Sequence, residues 1–556
     1  MRQRAGEILF LALVLSVLAG VTYALAPAGL RSNEEGVSQV QTKNFALNGS
    51  REIGWPGFGL GYEANDLAGP GGFFESRDGR LFAETPPLFP WLASLFYPFF
   101  GERAVDFTPI LFVFLSALVL GLILDEVMPR GLFYYSLLAA FLFASPVFLQ
   151  GLLFSGMALA LFLIMLALWL LVSHFVDRPS GWKLLGASFL VGASVIVRHE
   201  CMPVALSLYL GSAMVLIVQR RRTDLWIILA GGVSCLAALA LHDVALHGRF
   251  PGPYLQVFLP FYALSPIRVA ALGGSLSVSL VLIVLSRREG IEPLRKAVLS
   301  TLAVILVFGA VLLTAARITV SHLMALFPAV LFVFYGIPDR LERLKNREGT
   351  LEGILAATVV VCLVLSAAIV RPGTWIVFSA WLPTVPFVIL LLAMERKVMF
   401  ASGGMYVVLA FFCGVACVNG IQESQDKILK NKEYNASRIA FLEKHTSAGD
   451  AILFYDTGSL EHAGPLFFDR VFLLVKSPGD PERFVRRLRE RGIDGIYAWT
   501  LNPMDIEGFN PYGETSPPVF PLPQGSESCC SGSCKEKSFY LVRLDTRAVS
   551  STGAGW

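Results

Sequence analysis

Residues 152–175 read LLFSGMALALFLIMLALWLLVSHF. An α-helix rises about 1.5 Å per residue and needs about 20 apolar residues to cross a hydrocarbon layer ~30 Å thick. This stretch has that length and contains no Asp, Glu, Lys or Arg. The same pattern recurs on both sides of it, near 8–28, 105–124, 131–150, 184–202, 204–218, 225–243, 271–286, 297–315, 319–336, 351–370, 374–393 and 398–419. Gln150 separates two of these runs, and Arg198–Glu200 interrupt another pair. The fold class expected is a polytopic α-helical membrane protein of about 13 transmembrane helices. Composition agrees: 55% of the 556 residues are hydrophobic and only 16% are charged, against about 25% charged in ordinary soluble domains. Mean hydropathy is +0.62.

Net charge is only +3, which gives no electrostatic footprint for a nucleic acid. Placement of the cations is more informative than their sum. Arg2 and Arg4, Arg130, Arg178 and Lys183, Arg220–Arg222, Arg287, Arg288, Arg295 and Lys296, Arg340, Arg343, Lys345 and Arg347, and Arg396 with Lys397 fall in alternate loops. The positive-inside rule makes that side the cytoplasm. The N-terminus is then cytoplasmic, and the loop 29–104 and the tail 420–556 are extracytoplasmic. Residues 1–30 resemble a signal peptide in charge and hydropathy. The run is long and lacks a small-x-small cleavage site, so the expectation is an uncleaved first span. The opposite loops hold few cations: Arg198, Arg249, Arg268, Arg317 and Arg371. At the outer interface an arginine serves either as a snorkelling anchor or as a bidentate phosphate ligand. Arg198 favours the second role, because His199 and Glu200 follow it, and three ionisable residues beside an apolar run are expensive in a membrane. His242 and Asp243 lie at the outer end of another span.

The division expected is a transmembrane domain over 1–419, including the outer loop 29–104, and a soluble α/β domain over 420–556. The loop opens with polar residues, continues as a helix over Gly36–Leu47, and passes into a Gly-rich section with Trp55, Phe58, Tyr62, Phe73 and Phe74. Aromatics at that spacing suit an ordered loop lying at the membrane interface. In the tail, residues 426–445 and 481–491 read as helices. Residues 451–455, 470–475, 494–499 and 539–544 read as strands, giving a partly parallel sheet. The arginines of 481–491 read as a solvated face. Residues 502–537 are rich in Pro, Gly and Ser. Cys529 or Cys530 can pair with Cys534 in an oxidising compartment, and a free thiol cluster is the alternative. No paired CxxC or HExxH is present, so no metal site is legible.

Several short segments, in order, resemble the GT-C superfamily of polyprenyl-phosphate-sugar-dependent membrane glycosyltransferases, which includes protein O-mannosyltransferases and the aminoarabinose transferase of lipid A. Ser32-Asn33-Glu34-Glu35-Gly36, with Gln39, Lys43 and Asn44, is similar to the start of that family's first outer loop. Asp78-Gly79-Arg80-Leu81-Phe82, with Pro86, Pro87 and Pro90, resembles its "DGR-Y…PPG-P" segment. Arg198-His199-Glu200 resembles an "R-x-E" segment at the outer end of a middle span, and His247–Phe250 with Gly252 and Tyr254 looks like an outer "FG…GY" loop. Three positions depart from the pattern: Gln150–Gly156 lack the acidic residue often found there, Leu88 follows Pro86-Pro87, and Ser321-His322 stand where an arginine is common.

The resemblance implies transfer of a sugar from a polyprenyl phosphate to a glycan, lipid or protein hydroxyl at the outer face of a membrane; the short loops point to a bacterial inner (plasma) membrane. It implies Glu34 or Glu35 as the base, with Glu34 at the matching position. It further implies Arg198, Arg317, His322, Arg249 and Arg80 as donor-phosphate ligands, and Asp78, Glu84, His199 and Glu200 as substrate-loop residues. No cofactor is required; some members use a divalent metal and others do not. Two other classes remain open on the residues alone. A transporter or flippase for a lipid-linked solute predicts polar residues along the spans, and these are few. An O-antigen ligase or polymerase carries its large outer loop late, whereas here the long loop comes first.

Overall fold

In the computed structural model the described residues are 33–62, 74–77, 80–143, 147, 151, 153–252, 274, 278, 343–344, 349–369, 382–394, 430–455, 464, 466–477, 480–500, 519–521 and 538–544. Within the apolar run 152–175 lies the helix Met157–Val172, continued by a π-turn over Ser173–Asp177. Among the described residues four helices are long and apolar enough to cross a membrane: Tyr97–Val127, Met157–Asp177, His199–Val218 and Arg222–His247. Shorter apolar helices cover Leu132–Phe143, Gly181–Val197 and Val385–Met394, and Thr350–Ile369 forms a further one. The expected spans at 8–28, 271–286, 297–315, 319–336 and 398–419 lie outside the described residues, apart from single positions.

The chain divides into two compact units. The first comprises Met1–Leu18, Pro109–Leu152 and Gly156–Ser424. Within it Met157–Val172 packs on Gly181–Val197, which packs on Arg222–His247, while Met202–Val218 packs on Thr350–Ile369. Leu206, Leu210, Met214 and Ile217 form an exposed apolar stripe on one helix, whereas Ser207 and Ser212 of the same helix are buried. Acyl chains accept such a stripe, and small polar residues go inward where helices meet. Gly192 and Gly231 make one of these meetings possible. A β-carbon on Gly192 would lie 2.0 Å from Cys235 Sγ, and one on Gly231 2.3 Å from Ser188 Cβ. Tyr209 ties the same junction by donating to the Ser188 carbonyl at 2.7 Å.

The second unit comprises Ala19–Thr108, Leu153–Ser155 and Gln425–Trp556. Its tail carries a five-stranded sheet in which β3 (Ala451–Phe454) lies between β4 (Val471–Leu474) and β5 (Ile496–Thr500), parallel to both. Antiparallel β7 (Ser538–Arg543) and β6 (Val519–Pro521) complete it beyond β5. Every residue of β3 and β4 is buried, as expected of parallel strands covered on both faces. The helices Lys430–His445 and Asp480–Glu490 flank these strands in sequence. Strand β6 falls within the stretch read as Pro/Gly/Ser-rich; it is three residues long, ends on a proline and sits at the sheet edge, where a missing N–H does no harm. The cysteines at 529, 530 and 534 lie outside the described residues.

The outer loop belongs to this same unit. It contributes the helix Asn33–Asn48 and a hairpin of β1 (Phe74–Arg77) with β2 (Arg80–Ala83). Val37, Val40, Ile53, Trp55, Tyr62, Leu81 and Ala83 share one hydrophobic core with the tail's strands and helices. By composition alone the loop goes with the spans and its aromatics with the membrane interface. In the structure Trp55 and Tyr62 are 2% and 3% exposed, inside a protein core. Aromatics near a membrane satisfy the same composition whether they meet lipid or protein, so the sequence alone does not separate the two.

Candidate functional site

The first candidate centre is the junction at Arg198, in the helical unit. A continuous helix would have residue 203 donate to the carbonyl of residue 199, and Pro203 has no N–H to give. The helix Gly181–Val197 stops, Arg198 is extended (φ −145°, ψ 110°), a 3-10 turn covers His199–Cys201, and a new helix begins at Met202. All three ionisable residues at the break point inward: Arg198, His199 and Glu200 are 4%, 1% and 0% exposed. Arg198 Nη2 donates to Glu200 Oε1 at 2.8 Å, so the guanidinium is held by a buried carboxylate two residues on. Among the described residues Glu200 Oε2 has no hydrogen-bond partner. Gly156, the residue before the helix Met157–Val172, lets that helix start against this junction: a β-carbon there would lie 3.3 Å from Arg198 Cδ.

Asp243 and His247, one turn apart at the end of the helix Arg222–His247, are buried as well, at 3% and 8%. Asp243 is in electrostatic reach of His199 and His242, and His242 Nδ1 lies 3.3 Å from its Oδ1. The helix closes on Gly248 at φ +68°, a conformation glycine adopts without strain. Gly252 N then returns to donate to Asp243 Oδ2 at 2.7 Å. That return needs glycine, because a β-carbon at 252 would sit 2.9 Å from Asp243 Cγ. The tight return leaves Arg249 exposed at its tip. Asp243 stands out in the sequence as an ionisable residue at a span end, but its bond to Gly252 has no sequence signature.

The second candidate centre lies in the other unit, on the helix Asn33–Asn48. Residues 35–42 are all buried, so the low amphipathicity of this segment reflects burial on every side. Val37 and Val40 enter the apolar core. Glu35, Gln39 and Lys43 are spaced four apart and share another face. Glu35 is 4% exposed. Gln39 Nε2 donates to Glu102 Oε2 at 3.0 Å, Lys43 Nζ lies 3.1 Å from Glu102 Oε1, and the Tyr97 hydroxyl donates to the same oxygen at 2.8 Å. Glu102 is thus a hub with no motif to mark it in the sequence; the i, i+4, i+8 polar series ending in Lys43 is the available clue. Glu34 belongs to the same helix, and its side chain lies outside the described residues. Nearby in sequence, Glu84 is buried at 9%, and Gln41 exchanges hydrogen bonds with Thr85, through its carbonyl at 3.2 Å and its hydroxyl at 3.0 Å.

Of the remaining expected residues, Arg80 is described. Arg80 makes an exposed ion pair with Glu52 at 3.2 Å on the hairpin. Asp78, Arg317 and His322 lie outside the described residues. Among the described residues no group of three or more His, Cys, Asp or Glu converges in a way that would hold a metal ion.

No protein-family model matches the chain, and no curated relative matches it. Solved structures to which it is similar include the Archaeoglobus fulgidus oligosaccharyltransferase in complex with Zn and sulfate, at 11% identity and a TM-score of 0.49, covering 87% of this chain and 67% of that one. ArnT from Cupriavidus metallidurans in the apo state is similar at 13% identity and a TM-score of 0.42, covering 97% and 98%. The same protein bound to undecaprenyl phosphate is similar at 13% and 0.41, covering 98% and 99%.

Proposed function

We propose that this chain is a GT-C-type membrane glycosyltransferase that moves a sugar from a polyprenyl-phosphate carrier to an acceptor hydroxyl at the extracytoplasmic face. The observation that carries the reading is the buried Arg198–Glu200 pair at a break between two apolar helices. Intramembrane charges are costly and persist where they serve a ligand or an ion path. A guanidinium oriented by a carboxylate at a helix end suits a phosphate at the membrane boundary. In this proposal the acceptor oxygen attacks the anomeric carbon, its proton passes to Glu34 (or to Glu35), and the bond from that carbon to the phosphate oxygen breaks with its electron pair staying on the phosphate. Arg198 stabilises the charge that develops there. One displacement of this kind inverts the anomeric centre. The phosphate leaves without protonation, so no general acid is assigned.

The test is transfer of labelled sugar in membranes supplied with polyprenyl-phosphate donors, for wild type, Glu34→Gln, Glu35→Gln and Arg198→Ala at matched expression. Loss of a general base lowers the rate by about 10²–10⁴, and loss of an oriented cation by about 10²–10³. Full activity in both glutamine variants would remove these residues as the base. Silence of the wild type across a broad donor panel, together with solute flux in proteoliposomes, would replace the reaction by transport.

A further inference from the structure

The tail and the outer loop share more than a surface. Helix Asp480–Glu490, read from sequence as a solvated arginine face, grips the loop at Gly61-Tyr62. The Tyr62 hydroxyl donates to the Phe484 carbonyl at 2.9 Å, and its ring meets the Phe484 ring edge-on at 5.6 Å. Arg487 Nη1 donates to the Gly61 carbonyl at 3.0 Å while its guanidinium lies 5.5 Å from the Tyr62 ring centre. Gly61 is at φ +78°, which presents that carbonyl without side-chain strain. Phe74 of the hairpin stacks on Phe467 of the tail at 6.1 Å.

From this grip a short mechanical path leads back to the acidic helix. Tyr62 N donates to Gly57 O at 3.0 Å, and Ile53 N to Leu81 O at 2.8 Å. Asn44 of the helix Asn33–Asn48 then holds the carbonyls of Ser50 and Glu52 at 2.6 and 2.8 Å. Val37 and Val40 of that helix lie in the core that the tail completes. A helix carrying Glu34 and Glu35 is therefore fixed on one side by residues more than 400 positions away in sequence.

We infer that the C-terminal α/β region is a positioning device for the first outer loop, and that Tyr62 and Arg487 are the positioning residues through which it sets the helix bearing Glu34 and Glu35. The mechanical part stands on the contacts alone; the catalytic part rests on the glycosyl-transfer reading. The full-length protein in nanodiscs tests both. Hydrogen exchange is followed across residues 33–62 in wild type, Arg487→Ala, Arg487→Lys, Tyr62→Phe and the exposed control Arg486→Ala. Arg487→Ala is expected to raise amide exchange in 33–62 at least fivefold, Arg487→Lys to recover part of the protection, and Arg486→Ala to leave it unchanged. In the transfer assay Arg487→Ala lowers kcat at least fivefold with donor KM within twofold, because it misplaces the base and leaves donor binding intact. Unchanged exchange in both Arg487→Ala and Tyr62→Phe overturns the inference, whatever the activity. Raised exchange with unchanged kcat overturns its catalytic half. A wild type that transfers nothing while exchange rises as expected leaves the device in place and refutes the glycosyl-transfer reading instead.

Discussion

Replacing Arg198 by alanine separates a structural from a chemical role for the junction. Glu200 is 0% exposed and its partner sits at 2.8 Å. Removing Arg198 strands a fully buried carboxylate. Breaking a buried pair from one side costs about 3–5 kcal/mol, which is roughly two to four powers of ten in the folded population at 1.36 kcal/mol per decade. Removing both charges, as in Arg198→Met with Glu200→Gln, lifts most of that penalty, because neither member of the pair is left charged. The assay pairs thermal stability in detergent, by fluorescence-detected size exclusion, with labelled sugar transfer. Arg198→Ala is expected to lose both stability and transfer. The double variant regains stability to within about 1.5 kcal/mol of wild type and still transfers about 10²-fold or more slowly than wild type. Recovery of transfer by the double variant would show that Arg198 serves only the fold. Unchanged stability in Arg198→Ala would refute the burial argument at its root.

Gly192→Leu forces the helices Gly181–Val197 and Arg222–His247 apart, since even a β-carbon meets Cys235 Sγ at 2.0 Å. A loss of about 1–3 kcal/mol or more follows, read as early thermal aggregation, whereas Gly232→Ala, with Tyr209 at 3.4 Å, is tolerated. Glu102→Leu takes one acceptor from Gln39, Lys43 and Tyr97 together; a loss of about 1.5–3 kcal/mol should appear as faster proteolysis of the outer loop, and Glu102→Gln should be milder. Burial pushes the Asp480 carboxyl up, but the amides of Lys476 and Ser477 donate to it at 2.9 and 2.8 Å and Arg483 lies at 3.3 Å, so that it ends below the usual carboxylate range. A lowered folded-state pKa adds stability that is present above the ordinary value of about 4 and fades as pH falls through the folded one. Thermal melts of the full chain in acid should show that slope in wild type and a shallower one in Asp480→Asn; identical slopes would discard the assignment.

How much of this was legible in the sequence varies with the range of the interaction. Span positions follow from local composition, and Ala104–Val127, Met157–Val172 and Arg222–His247 appear within a few residues of where the apolar runs place them. The same holds for β3, β4, β5 and β7, whose short apolar runs between turn residues have few other readings. The break at Arg198 was also visible, because three consecutive ionisable residues interrupt the apolar run there. Side-chain partners were not visible. No local rule states that Glu200 turns back to hold Arg198, that Asp243 receives Gly252, or that Glu102 gathers Gln39, Lys43 and Tyr97.

By itself the sequence determined that this chain carries helices long and apolar enough to cross a membrane, where the described apolar helices and most of the strands run, and which polar residues stand out against an apolar background. These are consequences of solvent preference and hydrogen-bond periodicity, which act over a few residues at a time. Tertiary structure alone decided that the outer loop and the tail form one unit, with Tyr62 resting on Phe484 and Arg487. Burial of an aromatic ring has no preferred sequence distance. Which of many apolar surfaces receives Trp55 or Tyr62 is settled by the shape of the whole core, and that shape exists only once both ends of the chain have come together.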